Sequence, residues 1–310
     1  MRILIVGGGI AGLTLAGLLR QRGIVARVVE RRPVQRASGY VLGLWPLGSR
    51  VLKGLGLFEQ LEAVSAPLDQ FSTGDASGRV LASSRMPKIR EAYGPIHMVE
   101  RHELLGVLAS GAGGLVETGI EVERLEQEGD VVVGFSDGST ARFDLVVGCD
   151  GVHSQVRERV FDVQPVSTGW TGWGWWMDRR LLEDVTMTEY WEPGRRFCAL
   201  VPARNALCTF VGLPTQHVAP GEERDVLRTG LAGMGGLVPQ AVAALDDSEE
   251  IFRTHFATVR LDAWHRGRIA LVGDACSSFF PFGGLGIGAS MAMESAAVLA
   301  DELSRVDASR

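Results

Sequence analysis

Short apolar runs near both ends of the chain are each followed by glycine and then by a helical pattern. The run at 2–6 leads through GGGIAG into a helical segment at 10–22, and a second apolar run follows at 26–30. Continuous apolar runs of this length are typical of parallel strands, which are buried on both faces. The segment 267–303 repeats the order of apolar strand, glycine-rich loop and helix. Both ends are therefore predicted to form strand–loop–helix units of an α/β sheet.

The middle of the chain has a different pattern, with alternating apolar and polar positions. Alternation through 189–213 is interrupted by turn residues at Pro193-Gly194 and at 203–205. Earlier, VVVGFSDGSTARF places Asp137-Gly138 between two strands, which is a hairpin signal. Helical patterns with polar faces follow at 216–250. This region is predicted to be strands joined by tight turns, followed by short surface helices.

Tryptophans are concentrated in GWTGWGWWMD at 169–178. Strand alternation places Trp173 and Trp175 on one face and Trp176 on the other. Two interpretations remain open. The pair at 173 and 175 forms an aromatic wall of a substrate pocket, or it packs the interior of the sheet, as most tryptophans do.

Composition excludes several classes of protein. The 310 residues carry a net charge of −6, so no basic footprint for nucleic acid is present. Four cysteines are widely spaced without a CxxC pair, which indicates reduced thiols in a cytoplasmic protein. The six histidines show no metal-ligand spacing, so no metal site is predicted.

The N-terminal apolar segment resembles a leader only superficially. It is too short and too rich in glycine to cross a membrane. Residues 20–22, Arg-Gln-Arg, stand where a signal peptide needs small residues for cleavage. Neither a membrane span nor a signal peptide is predicted.

The first glycine-rich turn has the GxGxxG spacing, in Gly7, Gly9 and Gly12. The first glycine permits a tight turn, the second lets the backbone approach a pyrophosphate, and the third lets the helix pack against the strand. The helix N-terminus offers N–H groups and a positive dipole to phosphates. Glu30 ends the second strand, eighteen positions after Gly12, where an acid accepts hydrogen bonds from a ribose. The sequence therefore predicts a dinucleotide site.

A second glycine-rich loop precedes the C-terminal helix, in GDACSSFFPFGGLGIGASMAMESA at 273–296. A flat aromatic ligand explains such a loop, because backbone N–H groups reach its edge only where side chains are absent. The following helix dipole favours negative charge at the same place. Asp150-Gly151, in the middle of the chain, is by itself typical of a simple turn.

Together the motifs resemble the group A flavin-dependent monooxygenases of the para-hydroxybenzoate hydroxylase type. That family has an N-terminal GxGxxG with an acid, an RxxL element, a DG motif, and a GD motif of the form GDAAHxxxPxxGxGxxxA. The resemblance covers essentially the whole chain, with the motifs in the right order and spacing. The matching positions are Arg101 for RxxL, Asp150-Gly151 with Ser154 and Arg157 for DG, and Gly273-Asp274, Pro281, Gly284 and Gly286 for GD.

The resemblance implies a two-domain α/β (α+β) fold. A Rossmann-like FAD-binding domain with a parallel sheet would be interleaved with a substrate domain built on a mostly antiparallel sheet. The discontinuous FAD-binding domain would comprise 1–69, 98–168 and 261–310, and the substrate domain 70–97 and 169–260.

The resemblance also implies the chemistry. The protein would use NADH or NADPH and O₂ to hydroxylate a small organic substrate, aromatic or polycyclic, through a flavin C4a-hydroperoxide, so that no protein base is required. The isoalloxazine ring would lie against 281–288 and Asp274 near the ribityl or pyrophosphate group, while Pro281 and Gly284 would also line the pocket. The implied FAD contacts are Gly7, Gly9, Ile10, Ala11, Gly12, Glu30, Arg31, Arg101, Asp150, Asp274, Pro281, Gly284, Gly286 and Ile287.

Three features depart from the family pattern. Ser277 stands where the family usually has His, and Glu294-Ser295 where it has Asp-Ala. The chain ends one helix after the GD motif, so it is expected to be either truncated or naturally short. A halogenase or a reductase on the same fold and a non-catalytic flavin-binding protein are the alternatives. The resemblance leaves monomer or homodimer open, and no partner beyond small molecules is predicted.

Overall fold

The computed structural model describes residues 1–33, 40–114, 116–182, 184–214, 218–219, 221–248, 250–280 and 286–305. The helices are α1 Ile10–Gln21, α2 Pro46–Gly54, α3 Phe58–Val64, α4 Pro87–Tyr93, α5 Arg101–Ala112, α6 Gln155–Phe161, α7 Glu223–Leu231, α8 Val238–Ala243 and α9 Gly288–Arg305. The first strands are β1 Ile3–Val6, β2 Arg27–Glu30, β3 Val41–Leu44, β4 Ser65–Pro67, β5 Gln70–Asp75, β6 Val80–Arg85, β7 His97–Glu100, β8 Val116–Thr118, β9 Val122–Glu128 and β10 Asp130–Phe135. The remaining strands are β11 Thr140–Phe143, β12 Leu145–Gly148, β13 Val166–Met177, β14 Thr186–Glu192, β15 Arg196–Pro202, β16 Leu207–Leu213, β17 Phe252–Arg260, β18 His265–Arg266, β19 Ile269–Leu271 and β20 Ser277–Ser278.

The two ends of the chain meet in one sheet of order β18-β19-β12-β1-β2-β8. All its neighbouring pairs are parallel except β18 with β19. The strand β1 is buried along its whole length, as its continuous apolar run predicts. The helix α1 packs against α5 and α9 and buries every residue from Ala11 to Leu19. The predicted parallel sheet is confirmed.

A larger sheet of order β20-β17-β13-β16-β15-β14-β5-β6 contains the middle of the chain. Its pairs are antiparallel except β14 with β5. The predicted turns at 193–194 and 203–205 do separate β14, β15 and β16. The short strand β20, which follows the GD motif, joins this sheet along β17. The proposed domain boundaries stay a prediction, and β20 crosses from one proposed domain into the sheet of the other.

The two faces of this larger sheet have different partners. Trp173 and Trp175 are 0% and 1% exposed and pack with the apolar residues of α7 and α8. The Trp175 indole Nε1 donates to the backbone carbonyl of Ala241, at 2.9 Å. The interpretation of these tryptophans as a wall of the substrate pocket is therefore wrong, because their face of β13 is covered by helices. Their surroundings agree with the other interpretation, in which the two tryptophans pack the interior of the protein.

The opposite face of the sheet carries phenylalanines, and glycines make room for them. A Cβ on Gly212 would lie 2.0 Å from Phe197 Cε1, and one on Gly172 would lie 2.4 Å from Phe256 Cζ. Side chains at these two positions would displace the rings. The alternation along β13 thus places glycines, which have no side chain, under the phenylalanines and large tryptophan side chains under the helices. No described helix has the length and apolar character that a membrane crossing requires.

We expect Trp175→Phe to lower the free energy of unfolding by about 2 kcal/mol, since it removes buried ring volume and a hydrogen bond to α8. Trp264→Phe is the matched control, because Trp264 is 43% exposed and its loss should cost less than about 0.5 kcal/mol. Urea unfolding of both variants measures this. FAD affinity should remain at the wild-type value in Trp175→Phe, and a selective loss of ligand binding with full stability would contradict the assignment.

Candidate functional site

A cleft of about 410 Å³ lies between the two large sheets. One end is bordered by the turn after β1, by the segment after β12 and by the start of α9. The other end is bordered by strands β14 to β17 of the larger sheet. The motifs singled out in the sequence therefore converge on one side of a cleft whose other side is the phenylalanine face.

Glycine occupies the three motif positions of the first turn for different physical reasons. Gly7 has φ +112°, and a Cβ there would lie 2.4 Å from the carbonyl oxygen of Cys149. A Cβ on Gly12 would lie 2.0 Å from the carbonyl oxygen of Gly7. At Gly9, by contrast, φ is −82° and a Cβ would meet no described atom within 4 Å. Packing within the protein explains Gly7 and Gly12, whereas the space beside Gly9 belongs to the cleft.

The N-terminus of α1 faces this open space. Gly9 is its N-cap and supplies no side-chain cap, and Gly9, Ile10 and Ala11 line the cleft. The first N–H groups of an α-helix have no partner within the helix. Together with the positive end of the helix dipole they suit an anion, and binding of a pyrophosphate here stays a prediction.

Glu30 lies at the end of β2, beside the first turn. Its Oε2 accepts from the N–H of Gly8 and its Oε1 from the N–H of Arg32, both at 2.9 Å. These bonds hold the carboxylate at the carboxyl edge of the parallel sheet, where a ribose of a dinucleotide lies in such folds. The neighbouring Arg31 is exposed. Contact of Glu30 and Arg31 with a cofactor stays a prediction.

The DG motif caps the N-terminus of α6. The Asp150 Oδ2 accepts from the N–H groups of Gln155 and Val156, at 2.8 and 3.2 Å, and so caps α6, while burial raises the pKa of the carboxyl. The Ser154 hydroxyl oxygen accepts from the N–H of Arg157, at 2.9 Å. Cys149, Gly151 and Val152 line the cleft on either side of the cap.

Arg157 connects the DG motif to the GD motif. Its guanidinium is buried and donates to the carbonyl oxygens of Val152, Val163 and Ala275, at 2.7, 3.0 and 3.1 Å. Ala275 belongs to the GD segment, 118 positions away in the chain. Three loops are thereby held together by one side chain.

The GD segment contributes Asp274 and the start of α9 to the cleft. The Asp274 carboxyl is open to the cleft, although the surrounding protein raises its pKa through burial. Gly286 lines the cleft and Ile287 is 36% exposed, and contact of either residue with FAD stays a prediction. The predicted contacts Pro281 and Gly284 lie outside the described residues. Ser277, in place of the usual His, pairs with Arg260 in the larger sheet.

Arg101 and Tyr40 both line the cleft. Arg101 begins α5, and its contact with FAD, which the RxxL match implies, stays a prediction. The backbone N–H of Arg101 donates to the carbonyl oxygen of Tyr40, at 3.0 Å, and the Tyr40 ring packs against Phe252, with ring centroids 5.1 Å apart. Burial raises the pKa of Tyr40. Sequence reasoning missed Tyr40, which belongs to no motif and comes close to Arg101 only through the fold.

Aromatic side chains form the far wall of the cleft. Phe210 lies 6.2 Å from Phe197 and 6.1 Å from Phe256, measured between ring centroids. Phe252 and the methyl of Ala199 complete this surface, which we call the aromatic wall. The sequence analysis missed these residues. The alternation of β15 together with Gly172 and Gly212 on neighbouring strands would have indicated this face.

A family model described as an FAD binding domain matches residues 1–307. The chain belongs to this FAD-binding family. It is 32% identical to 3-amino-4-hydroxybenzoate 2-monooxygenase of Streptomyces cremeus, over 96% of this chain and 77% of that protein. It is 30% identical to the FAD-dependent urate hydroxylase of Klebsiella pneumoniae, over 96% of this chain and 80% of that protein.

Solved structures agree with the sequence relatives. The crystal structure of Klebsiella pneumoniae HpxO with FAD and uric acid superposes with a TM-score of 0.88 at 28% identity, covering 99% of this chain and 81% of that one. Tetracycline destructase Tet(51) gives a TM-score of 0.76 at 26% identity, over 99% of this chain and 82% of that one. The predicted family of flavin monooxygenases, the fold class, the FAD cofactor and the oxidoreductase class are confirmed.

The described residues fit FAD. The space beside Gly9 and the uncapped start of α1 suit a pyrophosphate, and Glu30 suits a ribose. The cleft that Gly9, Ile10 and Ala11 line is also lined by Arg101 and by the aromatic wall. One cleft is thus lined by backbone at the start of α1 and by aromatic side chains at the larger sheet.

Gly9→Ala should mainly affect the affinity for FAD, and Gly12→Ala should mainly affect the stability of the apoprotein. In Gly9→Ala the new methyl enters open space, so the apoprotein should lose no more than about 1 kcal/mol while FAD binding weakens at least about tenfold. In Gly12→Ala the methyl meets the Gly7 carbonyl, so the apoprotein itself should lose about 3 kcal/mol. Thermal unfolding of the apoproteins and FAD fluorescence titration separate the two. Unchanged FAD affinity in Gly9→Ala would contradict the phosphate site.

Proposed function

We propose that this protein is a monooxygenase that uses FAD, NADH or NADPH, and O₂ to hydroxylate a small aromatic or heterocyclic substrate. The observation that carries the proposal is the single cleft that joins the dinucleotide end to the aromatic wall. A redox cofactor bound at one end would be the neighbour of a ring substrate bound at the other. The relatives support the proposal, since they are named as hydroxylases of urate and of an aminohydroxybenzoate.

FAD, when bound, supplies the redox chemistry, taking a hydride from nicotinamide and activating O₂ for transfer. The protein binds and orients it. The N-terminus of α1 holds the pyrophosphate through backbone N–H groups, and Glu30 accepts from the ribose. The N-terminus of α9, beside Gly286, places the positive end of a helix dipole where negative charge is stabilised. These assignments of residues to the cofactor are part of the proposal.

The aromatic wall orients the substrate and keeps water out. Phenylalanine faces favour offset-stacked or edge-to-face contact with a ring. Their apolar surface also excludes water, which would otherwise consume an activated oxygen without product. Tyr40 and Arg101 are polar groups that also line the cleft, and the Tyr40 ring packs against Phe210 and Phe252 of the wall. No protein base is needed for oxygen transfer in this arrangement.

We further infer a reducing, cytoplasmic environment. All four cysteines are free and buried. Burial raises the pKa of the Cys198, Cys208 and Cys276 thiols to about 12, so they stay protonated and unreactive. Free buried thiols of this kind are usual where disulfides do not form.

The test follows the visible spectrum of the FAD-loaded protein. Anaerobic NADPH, and separately NADH, should bleach the flavin absorption, and ring compounds that accelerate the bleaching are candidate substrates. These compounds are then incubated with ¹⁸O₂, and mass spectrometry should find one ¹⁸O atom in the product. Gly9→Ala, carried through the same steps without added FAD, is the control for background oxidation.

The alternatives give different results. A product that requires halide and a separate flavin reductase would identify a halogenase. A reduced product formed without O₂ consumption would identify a reductase. Bound FAD that no nicotinamide reduces, with or without ring compounds, would identify a flavin-binding protein without catalysis. Each of these results would overturn the monooxygenase proposal.

A further inference from the structure

A carboxyl group lies within the mainly apolar end of the cleft that β14 to β17 form, where Thr254 and His255 are the other polar lining residues of these strands. Glu189, on β14, is 4% exposed and lines the cleft beside Met187, Phe197 and Phe210. Strand alternation sends Glu189 to the cleft face and its neighbour Tyr190 to the helix-covered face, where Tyr190 packs with the tryptophans. A carboxyl at such a position is unusual, because aspartate and glutamate are almost never fully buried unless they are paired.

The strands beside Glu189 leave space in front of its carboxyl. Ala199 of β15 lies directly opposite Glu189, and Phe210 of β16 lies opposite Ala199. Side chains opposite each other on neighbouring strands are close enough to touch. The small Ala199 between two larger side chains therefore forms a depression in the wall, with the carboxyl on one side and a phenylalanine ring on the other.

The hydrogen bonds of this carboxyl are incomplete. Its Oε2 accepts from the indole Nε1 of Trp191, at 2.9 Å. Its Oε1 accepts no hydrogen bond from the described residues, and no arginine, lysine or histidine among them forms an ion pair with it. Burial accordingly raises the pKa of Glu189. Oε1 is not one of the buried polar atoms that lack a partner, so it is accessible from the cleft, where a donor group of a ligand can reach it.

The bond to Trp191 does not by itself explain a carboxyl. Trp191 is only half-buried, and a glutamine would accept from the indole equally well without the cost of a buried charge. What the carboxylate adds is a strong acceptor directed into the cleft. Hydrogen bonds to an ionised acceptor are roughly twice as strong as those between neutral groups.

We propose that Glu189 is a substrate-recognition residue that accepts a hydrogen bond from an N–H or O–H group on the ring of the substrate. The inference rests on the proposed function, in which the aromatic wall holds that ring. It narrows the substrate class to rings with a hydrogen-bond donor at the edge that faces β14. A ring with a carboxylate at that edge is disfavoured by like charge.

The test uses pairs of rings that differ only by hydroxyl against methyl. Binding of resorcinol and m-xylene, and of 2-naphthol and 2-methylnaphthalene, is measured from the absorption change of the oxidised flavin in the FAD-loaded protein. Wild type should bind each hydroxyl compound at least about tenfold more tightly than its methyl partner. Glu189→Leu should abolish this preference, and Glu189→Gln, which keeps an acceptor without charge, should lower it several-fold. Glu192→Gln is the matched control, since Glu192 lies on the same strand and pairs with Arg195 and Arg196 outside the cleft.

Equal affinity of wild type for both members of each pair would overturn the proposal. So would a preference that persists in Glu189→Leu, or failure of the FAD-loaded wild type to bind either hydroxyl compound. If Glu189→Leu does not bind FAD, the result for Glu189→Gln is used instead. An unchanged preference of Glu189→Gln for the hydroxyl compounds would overturn the proposal. Because these titrations need neither nicotinamide nor O₂, a positive result without ¹⁸O incorporation would reject the monooxygenase proposal and leave the role of Glu189 intact.

Discussion

The close approach of backbone to backbone at the first turn is the constraint on which the rest of the site depends. A Cβ on Gly12 would collide with the Gly7 carbonyl, and one on Gly7 with the Cys149 carbonyl. The start of α1 is thus in contact with the turn after β1, and that turn with the segment after β12. This contact brings residues 7–12 and the DG motif to one sheet edge, although more than a hundred positions separate them in the chain. An anion site made of helix N–H groups can form only where nothing covers the helix start.

Arg157 extends the same arrangement to the C-terminal motif. Burial lowers the pKa of its guanidinium, which is therefore held at a cost in solvation. Three carbonyl acceptors from Val152, Val163 and Ala275 offset that cost. A guanidinium suits this position, because its donors point in several fixed directions in one plane. The consequence is that Asp274 and the start of α9 are fixed relative to α1 by a side chain that does not itself line the cleft.

The sequence was sufficient for the local structure around the first turn and insufficient for the aromatic wall. The run at 2–6, the GxGxxG turn and Asp137-Gly138 predict local structure, because each is determined by interactions between neighbours in the chain. Alternation at Trp173 and Trp175 predicts that they share a face, but it does not indicate which face the helices cover. Which face meets the cleft depends on where α7 and α8 pack, and that is a tertiary property. Tyr40 and Glu189 gave no signal for the same reason.

Backbone atoms form one end of this cleft, and side chains form the other. This difference bears on how substrate specificity changes within the family. At the nucleotide end, substitution of Gly7 or Gly12 disturbs the fold, so ligand binding and stability change together. At the aromatic wall, residues such as Ala199, Phe210 and Glu189 project from a sheet whose hydrogen bonds do not depend on them. Their replacement alters the shape and polarity of the wall while the FAD end keeps its geometry. Relatives near 30% identity that share the FAD-binding family and are named for urate and for an aminohydroxybenzoate are consistent with this division of the cleft. In the proposed function, substrate specificity can therefore change by single side chains on β14 to β17, whereas a side chain at Gly7 or Gly12 disturbs the fold itself.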